Sequence, residues 1–154
     1  MRSVAARFAL GTTIAGMAIV LDQVTKLFGV SVGSPENPGV LYIAGALNPG
    51  LAFSLPFHWW VWATSLLVLL GLLGMFVRSV GTQHPLILIG LSLLLAGGIG
   101  NGIDRLLHGA VIDFIHIRGW TVFNVADLWV LTGLVLFITH ELKMQPKDKA
   151  ANQK

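Results

Sequence analysis

Two uncharged runs of nineteen residues, 59–77 and 85–103, constrain the fold of this chain more than any other feature. A helix needs about 20 consecutive apolar residues to cross the hydrocarbon core of a bilayer. The composition agrees with such crossings, because 55% of the residues are hydrophobic and only 11% are charged, against about 25% charged residues in soluble domains. The chain is therefore predicted to be an α-helical integral membrane protein of one small domain.

Two further transmembrane helices are predicted at about 8–30 and 120–140, one on each side of the central pair. Each of these segments reaches the required length only if the helix includes an aspartate, which is Asp22 in the first segment and Asp127 in the last. An ionised carboxylate in hydrocarbon costs on the order of 3 kcal/mol on insertion scales, so such residues mark functional sites. Asp127 is the first candidate for a functional role.

The N-terminal run has an alternative interpretation as a secretory signal peptide, because Arg2 and Arg7 precede its apolar stretch. The sequence LDQVTK at 21–26 stands where a small-residue cleavage site is expected. We therefore interpret the segment as an uncleaved first helix.

The basic residues predict the orientation of the four helices. Lys26, Arg105 and Arg118 fall on one side of this arrangement, and the other seven fall on the opposite side. Cytoplasmic loops are enriched in Lys and Arg. Both termini are therefore predicted to be cytoplasmic, and 31–58 and 104–119 to be extracytoplasmic. The basic tail 143–154 is interpreted as a solvated topology signal, so no nucleic-acid partner is predicted.

The extracytoplasmic segments contain short strand-prone pieces between Pro and Gly turn signals. These pieces are VLYIA at 40–44, LAFSL at 51–55 and AVIDFIHI at 110–117. They predict a small sheet at the membrane surface. The tryptophans that flank this region are expected to form an interfacial aromatic belt; they are Trp59, Trp60, Trp62 and Trp120.

In this topology the polar ends of three helices converge on the outer leaflet. If the last helix begins near Gly119 or Trp120, a rise of about 1.5 Å per residue puts Asp127 roughly 10–12 Å below its start. The converging residues are Asp22, Lys26, Asn101, Asp104, Arg105, Asn124 and Asp127.

A pair of carboxylates is the strongest catalytic candidate in this cluster. Asp113 precedes Asp127 by fourteen residues, a separation that a short return turn can close. Two adjacent carboxyl groups share one proton, so they supply a base and an acid together without a metal or an organic cofactor. The alternative is that one or both aspartates merely pair with Arg105, Arg118 or a histidine.

Other catalytic constellations have little support. The chain contains no cysteine, which excludes thiolate nucleophiles and Cys-ligated zinc. No G-x-S-x-G or H-E-x-x-H pattern occurs. A Ser–Lys pair would need Lys26, whose spacing from Asp22 instead favours an i,i+4 ion pair. The spacings Gly98–Gly102 and Ala96–Gly100 predict close helix packing.

Five blocks, in order, resemble the signal peptidase II (lipoprotein signal peptidase) family across nearly the whole chain. The blocks are LDQVTK at 21–26, NPGLAF at 48–53, GGIGNGIDR at 97–105, GAVIDFI at 109–115 and FNVAD at 123–127. The resemblance implies a membrane aspartic peptidase of the bacterial plasma (inner) membrane. It implies four transmembrane helices, a small extracytoplasmic β-rich cradle and an active site near the outer leaflet. Its substrates would be diacylglyceryl-modified prolipoproteins in membrane lipid, cut just before the lipidated cysteine.

The resemblance also assigns residues. Asp113 and Asp127 become the catalytic pair, and no metal ligands are implied. Leu128 stands where the family often has serine, and the stretch between the two aspartates is short. The residues implied to support the pair and the substrate are Asp22, Asn48, Asn101, Arg105 and Asn124, with Gly97 and Gly98 at close backbone approaches.

Two other classes of membrane protein stay open on the residues alone. One is a subunit of a proton- or ion-coupled transporter, in which buried Asp and Asn residues would form a relay. The other is a purely structural subunit. The clustering of the polar residues at one end of the predicted helices argues against a continuous relay.

Overall fold

The computed structural model describes residues 3–49, 59–82 and 84–151, with side chains given outside 59–62 and 144–151. Four of its helices are long and apolar enough to cross a membrane, which confirms the predicted fold class. These helices are α1 (Val4–Ser31), α2 (Trp59–Gly81), α3 (Pro85–His108) and α4 (Val125–Ala151).

Helix α3 is the central helix of the bundle. Half of its most apolar window is buried, whereas the corresponding share is at most 17% in each of the other three helices. Small residues allow its neighbours to approach closely. A Cβ atom at Gly97 would stand 2.5 Å from the carbonyl oxygen of Ala126 in α4, and one at Gly98 would stand 2.7 Å from Leu69 of α2. Among the described residues, no atom outside the local helix backbone lies within 4 Å of a Cβ built at Gly102, so these residues give no sign of the expected packing role there.

Helix α3 is longer than the predicted span 85–103, because it continues through its polar residues to His108. Gly109 then ends it with a φ of 70°, a left-handed conformation that costs glycine little. Asp104 and Arg105 therefore lie on a helical extension of α3 beyond the predicted span.

Helix α4 begins at Val125, five residues later than the predicted start at 120. The residues before it form a strand, and Asn124 caps the helix. The Asn124 Oδ1 accepts from the Asp127 backbone N–H at 3.1 Å, and the Asp127 Oδ2 accepts from the Asn124 N–H at 3.1 Å. This reciprocal pair is a capping box. Asp127 thus lies in the first turn, about 3 Å along the axis from Val125 at about 1.5 Å per residue, and the expected distance of roughly 10–12 Å from the start of the helix to Asp127 is wrong.

The three strands of the described residues form one antiparallel sheet in the order β1-β2-β3. Two of them confirm the predicted strand pieces at 40–44 and 110–117, while 51–55 lies outside the described residues. Gly119, with a φ of 75°, lies in the turn between the last two strands. The strands are β1 (Leu41–Asn48), β2 (Val111–Ile117) and β3 (Thr121–Phe123).

The sheet packs against the end of α1. The pairing of β1 with β2 shifts register between Ile43 and Ala46, and at this irregularity a Cβ atom on Gly45 would stand 2.9 Å from the carbonyl oxygen of Gly29. Trp120, in the β2–β3 turn, is 74% exposed, whereas the side chains of the other three predicted belt tryptophans lie outside the described residues. This packing against α1 places β2 at the same end of the bundle as the polar turns of α3 and α4.

Candidate active site

One cleft, with a volume of about 520 Å³, lies between the sheet and the ends of α3 and α4. Five of the predicted site residues line it, and they come from four different elements. Apolar side chains from β2, β3 and α4 complete its wall. The polar lining residues predicted from the sequence are Asn48, Asn101, Arg105, Asp113 and Asp127.

Asn124 connects the two aspartates. Its side-chain Nδ2 donates to the Asp113 Oδ1 at 2.7 Å, and its backbone N–H donates to the Asp127 Oδ2 at 3.1 Å. The residue is completely buried, so its position is defined by packing as well as by hydrogen bonds. Because one residue donates to both carboxyl groups, the cap of α4 contributes to their mutual position.

Two further asparagines hold the remaining carboxylate oxygens. Asn48 Nδ2 donates to the Asp113 Oδ2 at 3.0 Å, and Asn101 Nδ2 donates to the Asp127 Oδ1 at 2.9 Å. Asn124 Nδ2 also donates to the Asn101 Oδ1 at 3.1 Å. Each of the four carboxylate oxygens therefore accepts an N–H hydrogen bond, and the asparagines form one connected network.

Burial raises the pKa of Asp113 above the usual carboxyl range, because the ionised form loses solvation. The hydrogen bond from Asn48 acts in the opposite direction, and the neighbouring charge of Asp127 raises the pKa further. A carboxyl group in this environment retains its proton more readily than an exposed aspartate. The geometry is thus suited to a pair of carboxyl groups that share one proton.

Arg105 also faces the cleft, and its Nη1 donates to the backbone carbonyl of Asn101 at 3.3 Å. Arg118, a suggested alternative partner for the aspartates, is exposed and donates to the Pro38 carbonyl at 3.2 Å. His116 stacks on Tyr42 with the ring centroids 4.6 Å apart. The structure therefore places asparagine side chains, and not these two residues, around the aspartates.

Asp22 lies behind the cleft and not in its lining. It forms the expected i,i+4 ion pair with Lys26, whose Nζ is 2.8 Å from the Asp22 Oδ2. Asp104 adds a second ion pair to the same Nζ, also at 2.8 Å, and Gln23 donates to both carboxylates. Sequence reasoning did not assign a role to Asp104 or Gln23. The one available signal was the i,i+3 spacing of Asn101 and Asp104 on α3.

Comparison with known proteins supports a common origin for this arrangement. The family model described as "Signal peptidase (SPase) II" matches residues 14–143. A lipoprotein signal peptidase of Chlorobium phaeobacteroides is 35% identical over 80% of this chain and 90% of its own length. One of Pelotomaculum thermopropionicum is 32% identical over 92% of this chain and 97% of its own length.

The fold is also shared with solved structures. A bacterial membrane enzyme determined by the in meso method at 2.3 Å resolution has a TM-score of 0.76 and 28% identity, over 95% of this chain and 92% of that one. The match therefore covers the helices and the sheet together. The chain belongs to the signal peptidase II family.

Proposed function

We propose that this chain is an aspartic endopeptidase that removes the signal peptide from diacylglyceryl-modified prolipoproteins, with Asp113 and Asp127 as its catalytic pair. Membership of the family supports signal-peptide removal from prolipoproteins. The observation that carries the catalytic assignment is Asn124, which donates hydrogen bonds to both carboxyl groups at the wall of one cleft. Cleavage occurs just before the lipidated cysteine in this proposal.

The proposed reaction uses the shared proton of the pair. The ionised carboxylate takes a proton from a water molecule, whose oxygen attacks the scissile carbonyl carbon while the protonated carboxyl donates a hydrogen bond to the carbonyl oxygen. A proton then passes to the leaving nitrogen as the C–N bond breaks. The products are a carboxyl group on the signal peptide, which keeps the second proton of the water molecule, and an amino group on the lipidated cysteine. The pair ends with one proton, as it began.

The asparagines have a distinct part in this scheme. Asn48, Asn101 and Asn124 donate to the carboxyl oxygens, so they hold both groups in place before the substrate enters. Among the described residues, Arg105 is a cation that lines the cleft together with both aspartates, and we assign it to binding the substrate backbone or the developing negative charge.

The products of cleavage test the proposed function. Purified protein in detergent micelles is expected to convert one lipidated precursor into two fragments, with the diacylglyceryl-cysteine as the new N-terminus in mass spectrometry. Addition of EDTA should leave the rate unchanged, because both the acid and the base are carboxyl groups. Cleavage at another bond, or a rate lost in EDTA and restored by a metal ion, would contradict the proposal.

We also propose that the cleft opens toward the outer leaflet of the bacterial plasma membrane, with both termini in the cytoplasm. The distribution of basic residues supports this orientation. Reporter fusions after Lys154 and within 78–84 are expected to be cytoplasmic, and fusions near Glu36 or His108 extracytoplasmic. A fusion after Lys154 that reports from the outside would place the cleft in the wrong compartment.

A further inference from the structure

One buried group of charges takes no part in the proposed reaction. Asp22, Lys26 and Asp104 are each at most 1% exposed, and we call these three residues the ion bridge. Lys26 Nζ lies 2.8 Å from a carboxylate oxygen of each aspartate. Removing two carboxylates and an ammonium group from water costs free energy even when the groups form ion pairs. Buried ion pairs are therefore weak evidence that these residues serve only to stabilise the fold. The contacts of the bridge suggest another role.

Each carboxylate of the ion bridge binds the backbone next to one catalytic aspartate. The Asp22 Oδ1 accepts from the N–H of Ala126, which precedes Asp127, at 2.8 Å. The Asp104 Oδ2 accepts from the N–H of Ile112, which precedes Asp113, at 3.1 Å. Lys26 joins these two carboxylates, so the backbones of the catalytic pair are connected through a single ammonium group. Neither of these contacts involves the cleft.

Lys26 also orients a side chain that does reach the pair. Its Nζ donates to the Asn101 Oδ1 at 2.9 Å. With the amide oxygen directed at Lys26, the amide nitrogen of Asn101 faces the Asp127 Oδ1, to which it donates at 2.9 Å. An ammonium group has three N–H donors, and here the three acceptors are Asp22, Asp104 and Asn101.

We propose that Lys26 is a positioning residue that sets the separation and orientation of Asp113 and Asp127 from behind the cleft. This proposal rests on the proposed function. Lys26 acts through the two backbone contacts of the ion bridge and through the amide of Asn101. Its removal should lower kcat and leave KM nearly unchanged, because the pair moves while the substrate-binding wall remains. A displacement of about 1 Å in a reacting group costs on the order of 100-fold in rate.

The decisive variants separate geometry from charge. The ion bridge carries a net charge of −1, from two carboxylates and one ammonium group. Lys26→Met alone would leave two unpaired carboxylates, whereas Lys26→Met combined with Asp104→Asn restores the net charge of −1 without the bridge. Asp104→Asn alone is the reference, since its amide oxygen can accept from both Lys26 and the Ile112 N–H. Among the described residues, the only contact it loses is the one that the Asp104 Oδ1 accepts from Gln23. Lys143→Met, at an exposed lysine on α4, is the matched control.

The measurement is kcat and KM per folded enzyme, on one lipidated precursor, with folding followed by thermal unfolding in the same detergent. Asp104→Asn is expected to keep kcat within about 10-fold of the unmodified protein, a range typical of outer-shell changes. The double variant should fall about 100-fold in kcat with KM within about threefold. Lys143→Met should match the unmodified protein.

Two results would overturn the proposal. A double variant with the kcat of Asp104→Asn would mean that Lys26 does not position the catalytic pair. A double variant that fails to fold while Asp104→Asn folds would mean that Lys26 serves stability and not geometry. Asp113→Asn in the same assay distinguishes a failure of the proposed function from a failure of the role of Lys26. Cleavage by that variant would contradict the proposed function, whatever the result for Lys26.

Discussion

Asp113→Asn and Asp127→Asn are each expected to abolish prolipoprotein cleavage while the protein stays folded and inserted. An amide has nearly the shape of a carboxyl group, but it cannot exchange the shared proton of the pair. Loss of one member of a catalytic unit commonly lowers kcat by about 10⁴-fold or more. Because the two residues act as one unit, the double variant should be no worse than either single variant.

The matched control is Glu36→Gln, which makes the same chemical change at an exposed residue ahead of β1. Its kcat and KM should equal those of the unmodified protein. Folding of every variant is checked by its thermal unfolding in detergent, and insertion by its recovery in the membrane fraction before extraction. Sustained turnover by either folded single variant would refute the assignment of the pair.

A prolipoprotein with its diacylglyceryl group is expected to be cleaved, and the same precursor with an unmodified cysteine, or with serine at that position, is not. The cleft lies at the ends of membrane-spanning helices and is lined by apolar side chains such as Val111, Phe123 and Leu131. Each buried CH₂ of an acyl chain contributes about 0.8 kcal/mol to membrane anchoring. Two chains therefore hold the cysteine at the membrane surface beside the cleft.

The lipid effect should be visible in kcat as well as in KM. Binding energy from a remote group can hold the scissile bond in the geometry of attack, so a substrate without that group reacts more slowly even when it is bound. The assay compares the three precursors in liposomes, at concentrations up to saturation. Equal rates for lipidated and unlipidated precursors would refute the proposed role of the lipid.

The helical part of the fold could be predicted from the sequence because long apolar runs have few alternative structures. The residue at which α4 begins could not be predicted in this way. The residues Thr121–Phe123 are apolar or β-branched and only Asn124 separates them from the apolar run, so their composition does not separate a strand from a helix. These residues form a strand because they pair with β2. The cap at Asn124 depends on the same event, because the helix can begin only where the strand ends.

The members of the candidate site could be predicted better than their contacts. Residue types, order and family resemblance point to Asp113 and Asp127, but nothing local in the sequence indicates that Asp22 binds the backbone at Ala126, more than a hundred residues away. The role of Asp104 depends on α3 continuing beyond the predicted span, which brings its carboxylate to the Ile112 N–H. Such contacts follow from helix packing.

The pH dependence of kcat/KM for the unmodified protein tests the central claim, a pair of carboxyl groups that shares one proton, most directly. Such a pair is active only between its two apparent pKa values, which belong to the pair and not to either residue. Burial raises the pKa of Asp113, so the shared proton should be lost above the usual carboxyl range. The predicted profile is a bell whose rate falls as the pH rises through that second value. A rate that instead rises steadily into the alkaline range, as a lysine base such as Lys26 would require, would contradict the account.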